Sequence, residues 1–367
     1  MMTTVSNLKQ RRFRRYALIV LLGVASMQLF LPAFLNRSNL PPSVTPDHIA
    51  RNTFAPFQPR TCSELLSVEP SRLGDCDLAL MNLLCAEGLP NGEGLGVQRS
   101  LTLLDGWASR VRSETQRHYY RFQRHPGEFD HSEGYFRMLM MAVVLYEDFQ
   151  VRYNPERIGS PGQAALDDGF FADSRDVFLH GLLGPQRMGT CSSMPVLYVA
   201  VGRRLGYPIK LVATKGHLFV RWESPIERFN VDATAKGINR YQDDYYRNWP
   251  FPLTEDEINE HGYLKSLSAA EELAVFLSIR GQCLMEAGRY AEAISSFEHS
   301  VRLRPASRDQ KQLLAHAQAK ADGALGPRPR VSSARGISLG RISGPLEAPH
   351  DNASVLVPDP NPLRQIR

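Results

Sequence analysis

Nowhere in these 367 residues does a Cys-x-x-Cys pair or a His/Cys cluster with zinc-ligand spacing occur. The five cysteines therefore give no metal site, and neither metal nor cofactor is expected. A basic surface is also lacking where a folded domain would carry one. The formal charge of +5 comes from the first fifteen residues and from Arg328, Arg330, Arg335, Arg341, Arg364 and Arg367 near the end. Between them the charge is nearly balanced, which excludes a nucleic-acid partner for the middle of the chain. What remains, 43% hydrophobic and 22% charged residues, is the composition of a globular protein with room for one large domain or two modest ones.

The N-terminus carries a targeting signal. Lys9, Arg11, Arg12, Arg14 and Arg15 precede an uncharged run from Tyr16 to Leu35, about twenty residues and just long enough to cross a bilayer as a helix. Residues 1–35 read as a membrane anchor whose basic flank stays in the cytoplasm, with the bulk of the chain on the far side. A cleaved signal peptide ending near Val24-Ala25-Ser26 is the rival reading and would leave a secreted protein. Residues 36–60 alternate proline with polar side chains, as a linker does. Export would allow disulfides, and Cys62 with Cys76 is the candidate pair, while Cys85 and Cys283 read as small core residues.

Helical periodicity then appears in Asp77–Glu87, Ser100–Thr115 and Tyr135–Phe149, which defines a helical part over 61–172. Asp173–Leu183 reads as a further helix ended by Gly184-Pro185. After Cys191, the residues Met194, Leu197, Tyr198, Val201 and Leu205 form an apolar stripe, and Pro195 fits only in the first helical turn. Cys191 is thereby placed at the tip of a helix. Ile209–Thr214, the turn Lys215-Gly216 and His217–Glu223 predict a β-hairpin, with Arg228–Asp232 as a third strand. The fold class is α+β, a helix packed on an antiparallel sheet over 173–250.

This order of elements carries a chemistry. A cysteine nucleophile needs its charged form stabilised by a helix N-terminus and an imidazolium, and a third group to hold the imidazole. Cys191, His217 and Asp232 fill those three roles. Gln186, in the preceding loop, is a candidate second donor to an oxyanion beside the Cys191 backbone N–H. Arg221 and Trp222 alternate along the His217 strand and are candidates to line a substrate cleft. Tyr241, Tyr245, Tyr246 and Trp249 form an aromatic cluster suited to packing between the sheet and the helices that follow.

Gly189-Thr190-Cys191 opening an apolar helix, Lys215-Gly216-His217-Leu218-Phe219-Val220, and Phe229-Asn230-Val231-Asp232-Ala233-Thr234 together resemble the core of the transglutaminase-like superfamily, a papain-like cysteine fold. The resemblance covers about Asp173 to Gly237 and implies a Cys191, His217, Asp232 triad acting on an amide bond of a protein or peptide. Gly281, Leu284, Gly288, Tyr290, Ala293, Phe297 and Pro305 fall at the spacings of one tetratricopeptide unit, which places TPR-like helices over 268–322. It resembles the bacterial branch that joins the two, which makes the far side of the membrane the periplasm. Residues 326–367, rich in Pro, Gly, Ser and Arg, read as a disordered tail. Two functions follow: a tethered thiol enzyme, or a binding scaffold whose helical segment docks a partner protein.

Overall fold

The computed structural model describes residues 58–158, 169–234 and 239–324. The anchor or signal over 1–35, most of the linker, and the tail over 326–367 lie outside the described residues. Among the described residues no helix is long and apolar enough to cross a membrane.

The chain opens with α1 (Cys62–Leu66), whose first turn is closed by the Glu64 N–H donating to Thr61 Oγ1 at 3.1 Å. Next, α2 (Leu78–Ala86) starts where Asp77 accepts from the Ala79 N–H, and every one of its residues is buried. A helix apolar all round has to lie inside the molecule. It forms the centre of the core, touching α3 (Val97–Arg124) on one side. α4 (Glu133–Val143) follows, capped by Ser132, and runs into a wider π turn at Val144–Asp148.

A two-residue strand β1 (Arg152–Tyr153) then pairs in parallel with β2 (Met188–Gly189), setting Tyr153 opposite Gly189. Between them the chain forms α5 (Ser174–Val177) and α6 (Leu179–Leu183). The single helix expected over Asp173–Leu183 is therefore broken, at Phe178, which is extended at φ −125° and ψ 162°. The break has a local cause. The Asp176 carbonyl is taken by the hydroxyls of Thr190 (2.9 Å) and Ser193 (2.8 Å), so it serves the loop around Cys191 instead of a continuing helix.

α7 (Met194–Arg204) carries Pro195 in its first turn and packs against the sheet with every residue from Met194 to Gly202 buried. The sheet has the order β3-β4-β5, all antiparallel: β3 (Ile209–Thr214), β4 (His217–Glu223) and β5 (Arg228–Val231). Thr214 faces His217 across the hairpin, as the Lys215-Gly216 turn predicts. Asp232 lies just beyond β5 and bridges Asn239.

The remaining helices are α8 (Asp243–Asn248), α9 (Glu255–His261), α10 (Ala269–Glu286), α11 (Tyr290–Leu303) and α12 (Arg308–Ala324). α9 and α10 both begin with reciprocal capping boxes, Thr254 with Glu257 and Ser268 with Glu271. α10 and α11 pack against each other at Gly281, where an added Cβ would stand 2.5 Å from the Phe297 ring. These helices are tied to the sheet through backbone. The Leu264 and Leu267 N–H groups donate to the carbonyls of Ala213 and Leu211, covering the outer edge of β3.

Cys85 and Cys283 are buried in this core. The disulfide expected between Cys62 and Cys76 is not formed, and all five cysteines are free thiols. Cys62 lies beside Cys85 instead, because the Cys62 N–H donates to Glu87 Oε2 at 3.3 Å and so seats α1 on the end of α2.

Candidate active site

Three loops and strand ends converge where α7 meets the sheet. The first delivers Cys191. Gly189, Thr190 and Ser193 form a tight buried turn, in which the Thr190 N–H donates to Ser193 Oγ at 3.0 Å and both hydroxyls end on the Asp176 carbonyl. An added Cβ at Gly189 would drive into Ser193, so glycine is the residue that allows this turn to close. The Met194 N–H donates to the Thr190 carbonyl at 3.0 Å, which starts the helical hydrogen bonding one residue ahead of Cys191. The thiol is half-buried, at the entrance of α7.

The second and third side chains come from the sheet. His217 opens β4, and its Nε2 lies 3.0 Å from Asp232 Oδ2, with both residues buried. Asp232 Oδ1 accepts from the backbone N–H of Thr234 (2.8 Å) and from its hydroxyl (2.5 Å). With Nε2 committed to Asp232, Nδ1 is the ring nitrogen left to face Cys191. Burial alone would push the imidazole down. The hydrogen bonds to Asp232 and Cys191, reinforced by their charges, outweigh that and raise His217 to about 9. Burial likewise pushes the Asp232 carboxyl up, but His217 and Thr234 hold it below its ordinary value. The imidazolium is thus the form this site stabilises at neutral pH.

Aromatic rings fix the histidine. The Trp249 ring stands edge-on to His217 at 4.8 Å. Tyr246 stacks on Phe219 at 3.7 Å and is fully buried, so the tyrosines of the cluster pack while Trp249 reaches the site.

Tyr153 is the residue that sequence reasoning missed. Its side chain lies beside Cys191 in the cleft, and burial next to that sulfur raises its acidity threshold well above the usual tyrosine range. A two-residue parallel pairing placed it there, which no periodicity could reveal. The residue proposed from sequence for this place, Gln186, is exposed in the turn before β2 and does not line the cavity at Cys191. Arg221 and Trp222 also lie away from the cleft. Arg221 is buried at the far end of the face that carries His217, bound to Asn230, Asp243 and the Leu264 carbonyl. Trp222 faces the opposite side, where it stacks on Phe229 and meets Tyr207. The reason is strand parity: His217, Phe219 and Arg221 share one face, and α8 and the Leu264 backbone cover the far end of it.

A cavity of about 710 Å³ opens on Cys191, Ser192 and His217. Among the described residues no group of histidines, cysteines and carboxylates could hold a metal ion. A cysteine at a helix entrance, facing a buried histidine that a carboxylate grips from behind on an antiparallel sheet, is the arrangement a cysteine nucleophile, its base and its orienter would need. Residues 100–249 match the transglutaminase-like superfamily, so the chain contains a domain of that kind that takes in α3 and α4 as well as the sheet. No curated protein and no solved structure matches the chain.

Proposed function

We propose that this protein is a thiol enzyme that cleaves an amide bond by way of an acyl-enzyme on Cys191. The observation that carries this reading is the His217–Asp232 hydrogen bond, which leaves the other edge of the ring to Cys191 in the cavity they share. Paired with the His217 imidazolium, Cys191 attacks the amide carbonyl as the thiolate, forming the S–C bond. The Tyr153 hydroxyl and the Cys191 backbone N–H stand beside the sulfur, where the carbonyl oxygen gains its negative charge. As the tetrahedral intermediate collapses, the C–N bond breaks and His217 returns its proton to the departing amine. Water or a second amine then releases the acyl group, giving hydrolysis or transamidation.

Tethering is part of the same proposal. Lys9 to Arg15 followed by the uncharged Tyr16–Leu35 run supports a single membrane anchor with the enzyme on the periplasmic side. The paired helices α10 and α11, with Gly281 against Phe297, support a tetratricopeptide-type unit that stacks on the enzyme domain. Incubation with p-nitrophenyl acetate tests the chemistry, since the intact mass of the protein should rise by one acetyl group on Cys191. Absence of that adduct, or its persistence on another residue in Cys191→Ala, would show that no acyl-enzyme forms there.

A further inference from the structure

The cleft that opens on Cys191 is only partly built by the domain that matches the family. Its far wall comes from helices after residue 249. Val275, Ser278 and Gln282, spaced i, i+3 and i+7 on α10, present one half-buried stripe to it. The near wall is aromatic, with Phe170, Trp249 and Phe251.

Two of the charges that reach this cleft are paired within the protein, and the other two lie close to each other. Arg157 Nε donates to Asp176 at 2.8 Å, and Lys215 Nζ pairs with Glu257 at 2.6 Å. Arg304 donates to the His261 carbonyl and lies in the field of Glu271 and Asp309. Asp309 accepts from the Tyr263 hydroxyl and faces His261 at 3.8 Å. A charged group entering here gives up water and, Asp309 apart, meets cations that already have partners, which is unfavourable. Apolar bulk loses nothing by the same step and gains contact with aromatic rings. The volume, about 710 Å³, lies within the range of sites that enclose a ligand.

We propose that this cleft selects acyl donors carrying a bulky, uncharged apolar group beside the reacting carbonyl, and that α10, through the wall around Ser278, sets that preference. The selectivity for acyl donors rests on the reading of Cys191 as the nucleophile; the shape and neutrality of the cleft do not. The nearest chemical class is a protein segment with Phe or Leu next to the amide that is cut.

The test uses the full chain and four chloromethyl ketones that differ only in side chain: N-benzyloxycarbonyl Phe, Leu, Lys and Asp. Alkylation of Cys191 by each is divided by its alkylation by iodoacetamide, which senses the sulfur and not the cleft. The Phe and Leu reagents should react at least about tenfold faster than the Lys and Asp reagents on this scale. Ser278→Trp should remove most of that difference and leave iodoacetamide unchanged, while Ser278→Ala should keep it. Equal rates, a faster charged reagent, or a preference that survives Ser278→Trp in a folded protein would overturn the proposal. Binding of N-acetyl-Phe amide and N-acetyl-Lys amide to Cys191→Ala, followed by tryptophan fluorescence, reads the cleft without the sulfur. Tighter Phe binding there, with no alkylation of the wild type, upholds the cleft and sinks the nucleophile; equal binding sinks the cleft whatever the sulfur does.

Discussion

His217 Nε2 lies 3.0 Å from Asp232 Oδ2, and both side chains are almost wholly withdrawn from water. Removing one member of such a pair strands the other without its partner in a poorly solvated place, which typically lowers stability by about 3 kcal/mol or more. Asp232→Ala should therefore unfold at clearly lower urea concentration than wild type and should alkylate Cys191 more slowly. A variant as stable as wild type would show that the pair is not what holds the histidine.

The same pair makes stability depend on pH with a defined sign. His217 is raised from its ordinary 6.5 to about 9. The stability it contributes is fully present below pH 6.5 and is lost as pH rises through about 9. The difference in unfolding free energy between wild type and His217→Ala should accordingly shrink between pH 6.5 and 9.5. A difference that stays constant or widens over this interval contradicts the assignment.

Tyr153→Phe separates oxyanion stabilisation from packing. The ring stays, so thermal stability should change little, and alkylation by iodoacetamide, which develops no oxyanion, should stay within about twofold. Acylation by p-nitrophenyl acetate should fall by about a hundredfold, the loss usual for one donor. Equal acylation in the two proteins would leave the Cys191 N–H as the working donor.

Gly281→Ala tests the junction of α10 and α11. In an exposed helix the change would stabilise by about 0.5 to 1 kcal/mol. Here the new methyl meets the fully buried Phe297 ring at 2.5 Å, and overpacking of this kind lowers stability by about 1 to 3 kcal/mol. Urea denaturation should show net destabilisation; a gain would mean that the two helices pack loosely.

Cys191, His217 and Asp232 stood out in the sequence because each stands at the edge of an element with a strong local signal: Pro195 behind the cysteine, the Lys215-Gly216 turn before the histidine, the end of a β-rich run at the aspartate. The hairpin register followed from the same turn. α3 extends to Arg124, past the expected Thr115; its last turns place Tyr119 and Phe122 half-buried against Phe129 and Phe136, an apolar pair diluted in the sequence by the arginines, histidine and glutamines around it. Tyr153 and the pairing of Cys62 with Cys85 depend on contacts between segments far apart in the chain, which local pattern does not encode. Arg221 and Trp222 were placed by alternation alone, and alternation gives a face without saying what covers it.

The central claim is that His217 keeps the Cys191 sulfur reactive at neutral pH. It is met most directly by the rate of Cys191 alkylation with iodoacetamide from pH 5 to 10, followed on the isolated Cys191 peptide. A Cys62→Ser background is needed, because the hydrogen bond from Cys85 lowers Cys62 to about 7 and makes it a second reactive thiol. The account predicts rapid labelling already at pH 6 to 7, slowed at least tenfold in His217→Ala. A rate that climbs only near pH 8.5, as for a free thiol, and is unchanged by His217→Ala would contradict it.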